Sequence, residues 1–317
     1  MGGPRRARSV KVFTTGRGKY NRLMPDIRGR AGRAVLLATC LLAAAVQPGI
    51  VAASEHRPPQ GARYYLGFDR NRYPGDELMP SLAETFAYTG YWLNNPPGES
   101  ENTWAGKRAA VEAAGLGFLV LFNGRTDAEI KSHPAARDLG SADGKEAVAA
   151  AEREGFPAGT IIFLDQEEGG RLLAEQREYL LAWVDAVTGS RFRAGVYCSG
   201  IAVKEGRGSI TTANDIAQAV GKQRVAFWVA NDMCGPSPGC SFPASPPGPW
   251  ESGVKFADVW QYAQSPKRGS FASGCRNYSD DNNCYPVGFE PNSRLFVDLN
   301  TATSPDPSQG RVTKPGD

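Results

Sequence analysis

Asp165 and Glu167 stand two residues apart at the end of the run TIIFLDQE. In extended backbone, residues i and i+2 share a face, so the two carboxylates point the same way. Like charges a few ångströms apart resist joint ionisation, and one pKa rises. The product is a protonated acid beside a carboxylate, the combination that cleavage of a glycosidic bond requires. Two more acids sit at the ends of apolar runs, Asp69 in YYLGFD and Asp298 in LFVDLN. Tyr197 in AGVYCS, Trp228 in VAFWVA, and Gln261 and Tyr262 in VWQYAQ add aromatic faces and an amide at comparable positions, suited to a sugar ring. Other duties compete for these residues. An acid after a strand often caps the next helix, and clustered carboxylates can hold a divalent cation, although no spacing here matches an EF-hand loop. A Ser/His/Asp triad has little support: the two histidines, His56 and His133, lie in polar stretches, and no GxSxG occurs.

These residues need a scaffold that brings strand ends together. Strand-like runs fall at residues 64–68, 87–92, 116–122, 160–164, 193–198, 225–229, 257–262 and 294–297, with helical stretches between most of them, at 104–114, 144–154, 171–187 and 212–220. Runs such as GFLVLF and TIIFL are apolar throughout, which suits strands covered on both faces. Eight alternating βα units predict an α/β fold, a (β/α)8 TIM-type barrel in a single domain with loop insertions. A doubly wound open sheet is the alternative, but the chain has no Gly-rich phosphate loop after a strand. In a barrel the C-terminal strand ends surround the site. Asp69, Asp165, Glu167, Tyr197, Trp228, Gln261, Tyr262 and Asp298 are then expected at one mouth. Residues 231–256 and 266–292 are Pro/Gly-rich and carry cysteines, and read as insertions at that end.

The formal net charge of +3 on 317 residues hides an asymmetry. Residues 1–53 carry ten basic residues and one acid; residues 54–317 hold 26 basic and 32 acidic residues, a net −6. The body of the chain therefore offers no general attraction to nucleic acid. Residues 34–46, AVLLATCLLAAAV, follow Arg28, Arg30 and Arg33 and are short for a membrane span. They read as the core of an export signal, with Ser54 as the mature start and Met24 as an alternative initiator. Secretion to the periplasm or cell envelope is expected, with no stable membrane span after signal removal. The expected organisation is a signal region over 1–53, the barrel over 54–303 and a disordered tail over 304–317. In an oxidising compartment, the spacings Cys234/Cys240 and Cys275/Cys284 each permit a local disulfide. Cys198, inside an apolar strand, is expected to be a buried free thiol. No metal or organic cofactor is called for.

GFDRNRYPGD, GYWLNNPPGE, WAGKR, GFLVLFNGR, IIFLDQEEGGR, AGVYCSG, VWQYAQSP and FVDLN, in that order, resemble the bacterial domain-of-unknown-function family 1906, the glycoside hydrolase-like domain. That family is similar to the family 25 glycoside hydrolases, the lysozyme-type muramidases. The resemblance spans about residues 62–302. It implies that Glu167 protonates the leaving oxygen and that Asp165 tunes it or stabilises charge on the sugar. It further implies that Asp69 and Asp298 line the site, and that Tyr197 and Gln261 orient the sugar or its N-acetyl group. The implied substrate is peptidoglycan or another cell-envelope polysaccharide, acted on by a monomer. GYWLNNPPGE and the two cysteine-bearing insertions depart from the muramidase pattern. A non-catalytic glycan-binding or envelope-associated module on the same barrel is the alternative function; a metal-dependent hydrolase is a third, disfavoured by the scarcity of histidine.

Overall fold

The computed structural model describes residues 62–131, 135–166, 169–221, 224–269 and 274–312, all within the unit Ala53–Asp317. The export-signal reading, both histidines and Glu167 lie outside the described residues.

Seven parallel strands follow one another around a barrel: β1 (Tyr65–Asp69), β2 (Tyr88–Trp92), β3 (Gly117–Asn123), β4 (Ile161–Gln166), β5 (Arg193–Ser199), β8 (Val225–Ala230) and β9 (Val259–Ala263). Between β5 and β8 lies a small hairpin, β6 (Val203–Glu205) and β7 (Gly208–Ile210), which forms its own sheet. The eighth barrel strand, β10 (Asp298–Ala302), closes the circle between β9 and β1 and runs antiparallel to both. The helices are α1 (Met79–Ala83), α2 (Arg108–Ala113), α3 (Asp127–Lys131), α4 (Ala136–Arg153), α5 (Ala174–Thr188) and α6 (Thr212–Val220). Every residue of β2 and β4 is buried, as expected of strands covered on both faces. Gly140 and Gly144, one turn apart on α4, let that helix approach α5. A Cβ on Gly144 would lie 2.9 Å from the Trp183 carbonyl oxygen.

The closed eight-stranded barrel with helices between strands agrees with the expected fold class. Its last strand does not follow the expected pattern. Residues 294–297 are not the strand; the strand starts at Asp298. Among the described residues only a 3-10 turn, Pro291–Ser293, lies between β9 and β10. β10 starts at the mouth, where Asp298 pairs with Asp69, and runs downward. A parallel strand would have needed a crossover.

The same geometry carries the C-terminal segment to the base of the barrel. The Asp306 carboxylate accepts from the Phe118 N–H at 2.9 Å, the Ser308 hydroxyl from the Val120 N–H at 2.8 Å, and the Ser308 carbonyl from the Ile161 N–H at 2.8 Å. Residues 304–312, expected to be disordered on composition, are therefore bonded to the N-terminal ends of β3 and β4. Their side chains and backbone supply partners that those strand ends would otherwise lack. Residues 313–317 lie outside the described residues.

Cysteine pairing also differs from the local pairing permitted by spacing. Cys234 bonds Cys275 and Cys240 bonds Cys284, with Cα atoms 5.1 and 5.5 Å apart. Both bridges join one insertion to the other. Each closes a loop spanning 41 or 44 residues, worth roughly 4 kcal/mol in chain-entropy terms. Cys198 is free and buried, and burial pushes its thiol pKa up. Among the described residues no helix is long and apolar enough to cross a membrane.

Candidate functional site

The antiparallel β10 creates the first feature of the mouth. Asp69, the last residue of β1, is the register partner of Asp298, the first of β10. Register partners share a face, so two carboxyl groups from opposite ends of the sequence meet at the top of the barrel. Gly90 on β2 makes room for them: a Cβ there would lie 2.6 Å from the Asp69 Cβ.

A chain of side-chain hydrogen bonds holds Asp69. The Asn300 Nδ2 donates to its Oδ1 at 2.7 Å, and the Gln261 Nε2 donates to the same oxygen at 2.9 Å. Gln261 also donates to Asp298 Oδ2 at 3.4 Å. Trp228 fixes which way the Asn300 amide faces. An indole N–H only donates, and Trp228 Nε1 lies 2.9 Å from Asn300 Oδ1, so the NH2 must face Asp69. On the other side, Tyr197 Oη donates to Gln261 Oε1 at 2.6 Å, and Gln264 Nε2 donates to both that oxygen (2.8 Å) and Tyr197 Oη (3.0 Å). Asp298 is anchored separately by the Ser265 backbone N–H, 2.6 Å from its Oδ1.

Burial raises the Asp69 pKa to about 6, although the bonds from Asn300 and Gln261 pull it down. Desolvation wins because the carboxyl is only 6% exposed. Asp298 is raised well above the usual carboxylate range by burial and by the Asp69 charge, against the Ser265 N–H and Arg268. Two adjacent carboxyls of this kind titrate as a pair. The close pairing of carboxyls expected of Asp165 and Glu167 thus occurs across the β1–β10 seam.

Asp165, the penultimate residue of β4, is buried beside Tyr197, its register partner on β5. The pKa of Tyr197 is raised by burial and by Asp165, Asp69 and Asp298. One phenol therefore feels all three carboxyls, which places Asp165 opposite the Asp69–Asp298 seam. Of the expected residues, Asp69, Asp165, Tyr197, Gln261 and Asp298 come together at the mouth.

Two do not face it. Tyr262 follows Gln261 on β9 and so points to the other face of the strand. It touches Trp260, with ring centroids 5.8 Å apart, and its hydroxyl donates to the Ser241 carbonyl at 2.8 Å. Trp228 points inward but is 1% exposed, lying beneath the mouth against Phe163 and Tyr197. Its faces are covered, and it acts on the site through Asn300. Motif reading missed Asn300, Gln264 and Ser265. Asn300 lies within VDLN and Gln264 within VWQYAQSP, and alternation from Asp298 would have put Asn300 on the Asp298 face.

The large hollows lie elsewhere. One of about 480 Å³ opens at the base, lined by Arg193, Arg224, Asp258 and Gln309 among others. Two of its charges are committed to structure: Arg224 pairs with Asp185 at 2.7 Å and Asp258 accepts from the Phe227 N–H. A second of about 480 Å³ runs past Asn94, Asn95, Asn123 and Arg125. It adjoins the mouth, since Asn123 pairs in register with Asp165. Among the described residues no group of three or more His, Cys, Asp or Glu side chains is placed to hold a metal ion.

Carboxyls buried at the strand ends of a closed barrel place this domain among the glycoside hydrolase-like barrels. Residues 87–270 match the model of the Rv2525c-like, glycoside hydrolase-like domain, and the chain belongs to that family. It is the family that the sequence motifs resemble. Among solved structures the chain is similar to an uncharacterised protein of B. stearothermophilus (21% identity, 75% of this chain and 95% of that one, TM-score 0.47). It is also similar to the Tat-secreted protein Rv2525c of Mycobacterium tuberculosis in complex with L-tartrate (16% identity, 80% and 97%, TM-score 0.44). A third is the spore cortex lytic enzyme SleM of Clostridium perfringens (13% identity, 78% and 70%, TM-score 0.44). No curated protein matches the chain.

Proposed function

We propose that this domain is exported and hydrolyses glycosidic bonds of peptidoglycan or a related cell-envelope glycan. The observation that carries the reading is the Asp69–Asp298 register pair, both carboxyls with raised pKa values, with Asp165 across the mouth beside Tyr197. In the proposed mechanism Glu167 protonates the leaving glycosidic oxygen and Asp165 stabilises the positive charge growing on the sugar. The Asp69–Asp298 pair, when it shares a proton, offers both a donor and an acceptor to a sugar hydroxyl. Gln261 positions Asp69, because its amide is already bonded to Asp69 and Tyr197. Two disulfides suit an oxidising compartment and support export.

The test is a digest of purified peptidoglycan by the exported protein, with mass analysis of the fragments. New reducing ends are expected from the wild type, and none from Glu167→Gln at an unchanged melting temperature. Equal release by both proteins would remove Glu167 from its role. Binding without release by the wild type would leave a glycan-binding module in place of an enzyme.

A further inference from the structure

Three guanidinium groups stand around the mouth, and their partners differ. Arg268 acts electrostatically on Tyr197 and Asp298, but both of its bonded nitrogens go to the fully buried Asp232, at 2.9 and 2.7 Å. Arg72 is spent on Glu99 at 2.9 Å and Glu101 at 3.2 Å. Arg70 directly follows Asp69, and among the described residues it has no hydrogen-bond or ion-pair partner for its side chain. Its Nε is buried and unbonded, while the residue as a whole is only half-buried. The guanidinium lies 5.9 Å over the Phe296 ring, two residues before Asp298.

The backbone at this position is fixed. The Arg70 carbonyl accepts from the indole N–H groups of Trp92 and Trp104, each at 3.2 Å. Asp298 is near enough to act on Arg70 electrostatically. Its oxygens, however, are taken by Ser265 and Gln261. Burial and the like charge of Arg72 lower the Arg70 pKa, so the site as it stands does not compensate this cation. A partly desolvated guanidinium with unmet donors costs stability unless a ligand meets them. A planar, singly charged anion suits the fork of an arginine, and it meets less repulsion from the neighbouring carboxyls than a dianion does. A domain of net charge −6 over residues 54–317 would need such a local cation to hold an acidic polymer.

We propose that Arg70 is a substrate-binding residue that pairs with a carboxylate carried on the glycan, so that the preferred substrate is an acidic and not a neutral polysaccharide. This rests on the glycan reading above. The test measures calorimetric binding of the exported protein to three probes: peptidoglycan strands stripped of peptide, which keep one carboxylate per muramic residue; the same strands with those carboxylates reduced to alcohols; and chitin oligomers of equal length. The wild type is expected to bind the carboxylate strands about ten-fold more tightly than either neutral probe. Arg70→Gln should bring the three within about two-fold by weakening only the carboxylate strand, and Arg70→Lys should restore part of the preference. A merely structural role would weaken all three probes together. Equal wild-type binding to all probes, or a preference that survives in Arg70→Gln, would overturn the assignment. Absence of binding to every probe would instead remove the glycan reading on which it rests.

Discussion

The two ends of this barrel are built on opposite terms. At the mouth, Asp69 and Asp165 are buried and Asp298 half-buried at a cost in solvation, and side-chain amides hold Asp69 and Asp298 in place. At the base, Asp306 and Ser308 give their polar atoms to strand-end N–H groups, and charged pairs such as Arg224–Asp185 close the surface. One end raises carboxyl pKa values; the other satisfies backbone donors. Both follow from one topological fact, the downward run of β10. Its start places Asp298 at the mouth, and its end delivers residues 304–312 to the base. In a barrel of this kind, substitutions at the mouth should reach activity and those at the base should reach stability.

The largest expected effect tests the mouth. On the proposed reading, Asp69→Asn should lower hydrolysis by about 10²–10³-fold with no loss of melting temperature at neutral pH. Its pH dependence separates the ends further. A carboxyl raised to about 6 binds its proton more tightly in the folded chain than in the unfolded one. Its contribution therefore favours folding below the ordinary value near 4 and is lost as pH rises through 6. The wild-type minus Asp69→Asn difference in melting temperature should fall across that window and be flat above it. A difference that rises with pH would mean that Asp69 is held as a carboxylate throughout.

A smaller effect is expected at the base. Asp306 accepts from the N–H groups of Phe118, Gly310 and Arg311. Asp306→Ala leaves those donors without their partner and should cost about 2 kcal/mol, seen as a melting temperature lower by about 4–8 °C. Turnover at 25 °C should stay at the wild-type value. A turnover loss comparable to that of Asp69→Asn would break the division between the ends.

Seven of the eight barrel strands were legible because they are rich in apolar, β-branched or aromatic residues, and two of them, β1 and β4, carry acids near their ends. The eighth was misplaced because Arg294–Val297 has the right composition, while the antiparallel pairing of β10 with β1 and β9 is a matter of topology that composition does not carry. The site was legible in its acids and illegible in its amides. Asn300 and Gln264 look like any polar residue until register brings Asn300 under Asp69 and Gln264 against Tyr197. The disulfides were misread for a related reason. Short spacing favours local pairs, but the fold brings the two insertions side by side and pairs them across. The tail was misread because Pro and Ser content carries no information about the strand-end donors it meets.

The smallest effect probes the mouth itself, by comparing its inner and outer faces at neighbouring positions. Tyr197 and Tyr262 are both strand tyrosines with a bonded hydroxyl, and burial raises the pKa of both. Only Tyr197 bonds into the Asp69 network, through Gln261; Tyr262 bonds the Ser241 carbonyl on the outer face. Removing the Tyr197 hydroxyl leaves Gln261 Oε1 held by Gln264 alone and loosens its hold on Asp69. Tyr197→Phe should therefore lower turnover several-fold and move the pH profile, because the Asp69 carboxylate loses part of a bond that favours its charged form. Tyr262→Phe should cost about 1 kcal/mol of stability through the lost bond and leave both turnover and pH profile unchanged. Steady-state rates measured across pH 4 to 8 on the two variants decide the matter. Matched losses in both would show that Tyr262, on the outer face of β9, contributes to the chemistry as much as Tyr197 on β5.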